Sequence, residues 1–295
     1  MNHWSFHILD VFTDRPLAGN QLAVFADAPD VPEAWLQPLA KEIGFAETVF
    51  LYPPHEGNDA RMRIFTPENE IPFAGHPTLG TAAVVARQLG KNKVVLETGR
   101  GPVPVRIEHT EGPASRGTMD QPIPTFALYL HAEALLNALR VGQSLLPITV
   151  YDNGIPHVYV VLDRPEDVAG LRPDFGALAR LARESGEPIV GFNVFAGAGT
   201  EWKTRMFAPA DSIPEDAATG SAAGPLALHL ARHGRIPWGT EIRISQGAEI
   251  GRPSSLFAQV SGDADHVETV EVSGYVVQVG GGWFDGDLLR SASDG

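Results

Sequence analysis

The sequence contains no cysteine. That absence removes thiol nucleophiles, disulfides, zinc–thiolate centres and iron–sulfur clusters together, so any catalysis here uses oxygen or nitrogen groups. Positive charge is scarce as well: 22 Lys and Arg stand against 36 Asp and Glu, for a formal net charge of −14 at pH 7. Such a surface repels phosphate backbones and anionic lipid, and no basic cluster offsets it, which argues against nucleic-acid or membrane partners. Long apolar runs are missing, and none approaches the roughly 20 residues that a bilayer-spanning helix needs. The first ten residues lack the basic start and small-residue cleavage site of a secretory signal, so a cytoplasmic location is expected.

What remains is the composition of a folded globular chain, with 295 residues, 43% hydrophobic and 20% charged. That length supports one large domain or two of ordinary size. An internal repeat favours two. RMRIFTPENEIPFAGHPTLGTAAVVARQLG, Arg61 to Gly90, and TRMFAPADSIPEDAATGSAAGPLALHLARHG, Thr204 to Gly234, align Phe65, Pro67, Ile71 and Pro72 with Phe207, Pro209, Ile213 and Pro214. Each copy reads as a strand ending near a proline, a loop, then an Ala/Leu/Val-rich helix closed by Gly90 or Gly234. The helices, predicted over Thr78–Leu89 and Ser221–His233, are apolar on most of their circumference, so each should be buried and central.

A strand pair follows each helix, Val94–Thr98 with Val103–Glu108 and Ile242–Ser245 with Leu256–Val260. The expected class is therefore α+β: two pseudo-symmetric lobes, each an antiparallel sheet wrapped around a buried helix. The proline-marked MDQPIPTF, Met119 to Phe126, reads as the passage between lobes 1–126 and 127–295, with the last strand free to return to the first lobe. Gly197–Gly199 and Gly280–Gly282 read as turns, and the closing SASDG as a frayed end.

Both predicted central helices begin with a glycine and a polar residue, Gly75-His76-Pro77 and Gly220-Ser221 after Thr219, and Pro77 suits a first helical position. Unpaired amides and the positive end of the helix dipole suit such ends to a carboxylate, although simple capping explains either one alone. Two of them in equivalent halves, facing each other across a cleft, would favour a ligand. Glu47 sits between Ile43-Gly44-Phe45-Ala46 and Thr48-Val49-Phe50, apolar company that raises a carboxyl pKa toward the range useful for taking and returning a proton. A strand-end glutamate pointing into water is the plain alternative. Against it, aligning Thr48–Phe50 with Asn193–Phe195 puts Phe192 where the acid stands, so the architecture does not require an acid there. His76 and Asp216 are the other titratable groups at the helix starts, either of which could hold a ligand or tune Glu47. His229 and His233 lie four apart on a helix, but no carboxylate motif accompanies them and no metal is expected.

With these residues in view, the chain resembles the PhzF-type phenazine-biosynthesis isomerases, whose fold is that of diaminopimelate epimerase. The resemblance runs nearly end to end, through PLAGNQLAVF at Pro16–Phe25, AET around Glu47, FTPENEIPFAGHP at Phe65–Pro77, MDQPIPT at Met119–Thr125 and EDAATGSAAGPLALHLARHG at Glu215–Gly234. It implies that Glu47 transfers the proton, that His76 and Asp216 assist at the reacting substrate, and that Asn20 and Ser221 bind it. The amides of Gly75 and Gly220 would hold its carboxylate. The implied reaction takes a proton from C3 of trans-2,3-dihydro-3-hydroxyanthranilate, returns it at C1 and lets the enol become a ketone, with no cofactor. A homodimer is implied in the same way.

Two departures bear on specificity. The related epimerases carry cysteines about where Ala74 and Thr219 stand, so two-base chemistry is disfavoured. Ala46 stands where phenazine-type relatives often have Ser, which removes a hydroxyl that would bond the substrate. Three other readings stay open: an isomerase or racemase of the same fold on another small amino or hydroxy acid, a non-catalytic carboxylate-binding protein, and a metal-dependent hydrolase.

Overall fold

Each repeat copy folds around a helix buried on every side through most of its length, and strands carry the rest of the architecture. The structure is a computed structural model that describes residues 3–55, 57–186, 189–211 and 213–293. Two compact units form, Met1–Met119 with Gly274–Gly295, and Asp120–Ser273.

In the first unit the order is β1 (His3–Val11), β2 (Asn20–Phe25), α1 (Glu33–Ile43), β3 (Glu47–Tyr52), β4 (Ala60–Phe65), β5 (Glu70–Ile71), α2 (Gly75–Leu89), β6 (Lys93–Thr98), β7 (Gly101–His109) and β8 (Ala114–Asp120). The second continues with β9 (Thr125–Leu128), α3 (Ala132–Leu139), β10 (Thr149–Asp152), β11 (Pro156–Val161), α4 (Pro165–Ala169), α5 (Phe175–Glu184), β12 (Gly191–Ala198), β13 (Glu201–Ala208), β14 (Ile213–Asp216), α6 (Gly220–Arg232), β15 (Ile242–Gln246) and β16 (Ser254–Gly262). The chain closes with β17 (Val267–Asp285) and α7 (Gly286–Ser293).

The units share one plan. β3 runs antiparallel to β4 and β12 to β13, while β4 lies parallel to β6 and β13 to β15. Parallel neighbours need a crossover connection, and α2 and α6 supply it in their respective units. The sheets are thus mainly antiparallel, as the repeat suggested, with parallel pairs where helices cross over; β2–β3 and β11–β12 are two more. Gly80 shows how tightly α2 is held, since an added Cβ would lie 2.6 Å from Leu22 Cδ2 and 2.8 Å from Val11 Cγ2. Gly90 and Gly234 take φ of 63° and 65°, the left-handed conformation that ends a helix cheaply only at glycine.

Some boundaries differ from the sequence reading. The division falls at Met119/Asp120, ahead of Phe126, because Thr125–Leu128 pairs with Thr149–Asp152 of the second unit. Gly280–Gly282 is strand rather than turn, paired with Ile8, His7 and Phe6 of β1. Glycine is needed there for close approach, since a Cβ on Gly281 would come 2.7 Å from Phe6 O. Helix α7 runs through Ser293, so the first three residues of the expected frayed end, 291–293, are helical; the rest of that segment lies outside the described residues. Pro77 is the third residue of α2, not the first; it still falls in the first turn, where no intrahelical N–H bond is lost.

The ladders also correct the alignment around Glu47. Thr48 lies opposite Phe65 and Phe192 opposite Phe207, so with Phe65 matching Phe207 the counterpart of Glu47 is Gly191, not Phe192. Phe192 is a wholly buried member of the second unit's apolar core, beside Val158, Val194 and Phe207.

Candidate active site

In the first unit three of the singled-out side chains come together. Glu47 opens β3 just after Gly44, whose φ of 70° turns the chain out of α1. Its neighbours Val49 and Phe50 are wholly buried, and its own side chain is only 13% exposed. His76, second residue of α2, is 5% exposed and presents Nε2 at 3.3 Å from Glu47 Oε2, within ion-pairing reach when the imidazole is protonated. On the other side of the ring, Asn20 Nδ2 lies 3.3 Å from His76 Nδ1. An amide N–H can only donate, so Nδ1 accepts and the neutral ring carries its proton on Nε2, toward the carboxylate. Strand pairing fixes the set: Asn20 begins β2, β2 lies parallel to β3 with Leu22 opposite Glu47, and α2 packs on both.

Gly75 is the first residue of α2, preceded by Ala74 in extended conformation (φ −152°, ψ 145°). The first-turn amides of an α-helix have no intrahelical acceptor, so this end offers donors to an anion.

The second unit builds its own helix start. Asp216 ends β14, and its Oδ2 accepts from Thr219 Oγ1 at 2.7 Å. Gln246 Nε2 donates to the Asp216 carbonyl and to Thr219 Oγ1, each at 2.9 Å, which ties the Asp216–Thr219 loop to β15. Behind it, Arg205 and Glu215 form a buried bidentate pair with Nε–Oε1 at 2.9 Å and Nη2–Oε2 at 2.7 Å. Gly220 and Ser221 are the first and second residues of α6, matching Gly75 and His76 of α2. Gln121 Nε2 donates to Gly220 O at 2.8 Å, Asn153 Nδ2 to Ser221 O at 2.9 Å, and His157 Nε2 lies 3.1 Å from Ser221 Oγ.

Sequence reasoning missed Gln121, Asn153, His157 and Gln246. Gln121 lies in the MDQPIPT stretch, which reads as a passage with no role for its glutamine; Asn153, His157 and Gln246 come from β10–β11 and β15, and nothing local marks them, because they meet the helix start only through strand pairing. The His229/His233 pair is packing: His229 Nδ1 lies 3.2 Å from Tyr151 Oη and its ring is wholly buried, which drives its pKa down to about 3, assisted by His233 and Arg232. No group of three His, Asp or Glu side chains able to hold a metal occurs among the described residues, and no helix there is long and apolar enough to cross a membrane.

Chemically, the first helix start offers a shielded carboxylate beside an imidazole N–H, suited to moving one proton. The second sets the Asp216 carboxylate, held by Thr219, beside the Ser221 hydroxyl and the first-turn amides of α6, which are suited to holding an anion.

A family model described as phenazine biosynthesis-like protein matches residues 9–282. The chain is 46% identical to the trans-2,3-dihydro-3-hydroxyanthranilate isomerase of Pseudomonas fluorescens, across 94% of its own length and 98% of that protein's. It is 34% identical to the uncharacterized isomerase YddE of Escherichia coli O157:H7, across 92% and 95%. Among solved structures it is similar to the Bacillus anthracis phenazine biosynthesis protein of the PhzF family, with a TM-score of 0.84 at 24% identity and coverage of 97% and 100%. A hydroxyproline epimerase from Agrobacterium vitis follows the same course, with a TM-score of 0.62 at 15% identity and coverage of 96% and 92%. Those two likenesses show the fold alone, the diaminopimelate epimerase-like fold that the resemblance implies.

Proposed function

The chain belongs to the phenazine biosynthesis-like protein family and is an isomerase, and we propose that it converts trans-2,3-dihydro-3-hydroxyanthranilate to the corresponding aminoketone, with Glu47 carrying the proton. The kinship with isomerases named for that substrate supports the choice. The observation that carries the mechanism is the shielded Glu47 carboxylate, 3.3 Å from His76 Nε2.

Glu47 takes the proton from C3, which leaves electron density to shift along the ring, and returns the same proton at C1. The enol so formed tautomerises to the ketone. A proton that leaves and returns on one face of a ring needs a single carrier, and a carboxylate that becomes a carboxylic acid in between is such a carrier. Atoms and oxidation level are unchanged overall, so no electron acceptor enters and the reaction proceeds without a cofactor. His76, its proton directed to Nε2 by Asn20, orients the carboxylate through each transfer. Asp216, held by Thr219 and Gln246, assists at the substrate's polar substituents, and the amides at Gly75 and Gly220 with the Ser221 hydroxyl hold its carboxylate.

A homodimer is part of the same proposal. Strand β9 carries Phe126 and Leu128 at 50% and 66% exposure, flanked by Ile123 and Leu130 at 51% and 82%, an apolar run that water disfavours. Light scattering checks this, and cell fractionation checks the proposed cytoplasmic location. One second reading has an observation behind it: Ala46 presents no hydroxyl beside Glu47, which suits a related small amino or hydroxy acid.

The deciding experiment incubates the protein with the dihydro-hydroxyanthranilate in deuterated water with chelator, beside Glu47→Gln, and follows substrate loss and label position by NMR. Turnover by the wild type alone, with hydrogen retained at C1, supports the reading. No turnover by folded wild type rejects the substrate, and equal turnover by Glu47→Gln rejects the base.

A further inference from the structure

His157 is 1% exposed, and Ser221 Oγ, 3.1 Å from its Nε2, is its hydrogen-bond partner. Its other ring nitrogen, Nδ1, has none among the described residues. The space beside Nδ1 is taken: a single carbon added to Gly191 would fall 3.0 Å from Nδ1 and 2.6 Å from Met206 Sδ. Gly191 lies directly opposite His157 in the β11–β12 ladder.

These constraints select a tautomer. With the proton on Nδ1, an N–H would be buried with no acceptor, a situation rare in folded proteins and costly in desolvation. With the proton on Nε2, the buried Nδ1 lone pair is the only orphan, and Nε2–H donates to Ser221 Oγ. A serine hydroxyl that accepts from an imidazole directs its own proton elsewhere.

We propose that His157 is a positioning residue: its Nε2–H fixes the Ser221 hydroxyl as an outward hydrogen-bond donor, for the carboxylate of the substrate. The inference deepens the proposed function and rests on it for the identity of that carboxylate. The repeat lends independent support. Ser221 holds the place on α6 that His76 holds on α2, and each is engaged from a neighbouring strand, His76 by Glu47 of β3 and Ser221 by His157 of β11. In the first unit the engaged pair is a carboxylate and an imidazole that can share charge. In the second it is two neutral groups, and burial keeps the imidazole neutral by driving its pKa down to about 4. A neutral donor relay of this kind binds an anion without adding a second base.

Long-range proton–nitrogen correlation on the nitrogen-labelled wild type reads the tautomer directly, with the His157 resonances assigned by their loss in His157→Gln. The Nε2–H form is expected; the Nδ1–H form overturns the proposal. In steady-state kinetics on the dihydro-hydroxyanthranilate, His157→Phe and Ser221→Ala should each lower kcat/KM about tenfold or more, mostly through KM, the size of one hydrogen bond to a charged acceptor. The double variant should lose no more than either single one. His157→Gln, whose amide can donate from nearly the same place, should recover most of the loss. Additive losses, a loss confined to kcat, or a Gln variant as poor as Phe would each refute the relay.

Failure of the proposed reaction looks different: the wild type itself would not turn over. The relay is then tested by calorimetric binding of 3-hydroxyanthranilate, the aromatic counterpart of the substrate, against 2-aminophenol, which lacks the carboxylate. The relay predicts weaker binding by His157→Phe for the carboxylate alone, and fails if both ligands, or neither, lose affinity.

Discussion

Replacing Glu215 with glutamine should destabilise the second unit by about 3 to 5 kcal/mol, the usual cost of stranding one partner of a buried ion pair. Arg205 and Glu215 have side chains only 7% and 5% exposed and meet in a two-pronged arrangement. The guanidinium spends a further nitrogen on backbone: Nη1 donates to the carbonyls of Leu171 at 2.9 Å, Ala169 at 3.3 Å and Val168 at 3.4 Å, where α4 ends. Those carbonyls are dipoles, so in Glu215→Gln a whole positive charge stays buried against partial charges and a neutral amide. For a unit of this size each kcal/mol moves the melting temperature by about 2 to 4 °C, which gives a drop of about 6 to 20 °C. Differential scanning calorimetry at low and high salt measures it, and high salt should leave the drop nearly intact because water and ions do not reach the pair. Replacing both residues with methionine should recover much of the loss, since two buried charges and their desolvation vanish together. A drop under about 2 °C, or a double variant no better than the single, would refute the reasoning that a stranded buried charge sets the cost.

Three further expectations have independent readouts. His157 is fully buried and its pKa is pushed down to about 4 from 6.5, so below pH 6.5 the unfolded chain takes up a proton that the native one refuses; stability is complete above pH 6.5 and lost down to about pH 4. Urea titrations at pH 7 and pH 5 should differ by about 2 kcal/mol from this group, a difference that His157→Gln removes. Gly281→Ala, which puts a carbon 2.7 Å from Phe6 O, should cost about 1 to 3 kcal/mol in unfolding free energy without touching the helix starts. Thr219→Val, near in shape but without the hydroxyl that bonds Asp216 and Gln246, should lower kcat/KM by about tenfold in steady-state assays, the scale of one charge-assisted bond.

The central helices, their glycine stops and the strand pairs after them were legible in the sequence because each depends on local pattern: apolar residues all round, Gly90 and Gly234 at the ends, alternation in Val94–Thr98. Glu47 and His76 were legible as candidates, being chemically capable residues beside marked elements. That the two meet at 3.3 Å follows only from the strand order. Gly280–Gly282 was misread because a glycine run carries no side-chain pattern; its meaning lies in the backbone of Phe6, hundreds of positions earlier in the chain. Gln121 stood in the MDQPIPT motif without a role, and Asn153, His157 and Gln246 gave no local signal, because their partners at the second helix start are 27 to 68 positions away. Letter matching pairs Phe192 with Glu47, whereas the ladder register pairs Gly191 with it.

That register has a consequence for what this duplicated scaffold can become. The place of Glu47 in the second copy holds no side chain, and the neighbouring room is filled by the His157 ring and the Met206 sulfur. A second acid there meets resistance: the first side-chain carbon of Gly191→Glu would lie 2.6 Å from Met206 Sδ and 3.0 Å from His157 Nδ1, so both neighbours would have to shift to admit it. If Glu47 carries the proton as proposed, the copy that lacks an acid at this position is also the copy whose packing leaves little room for one.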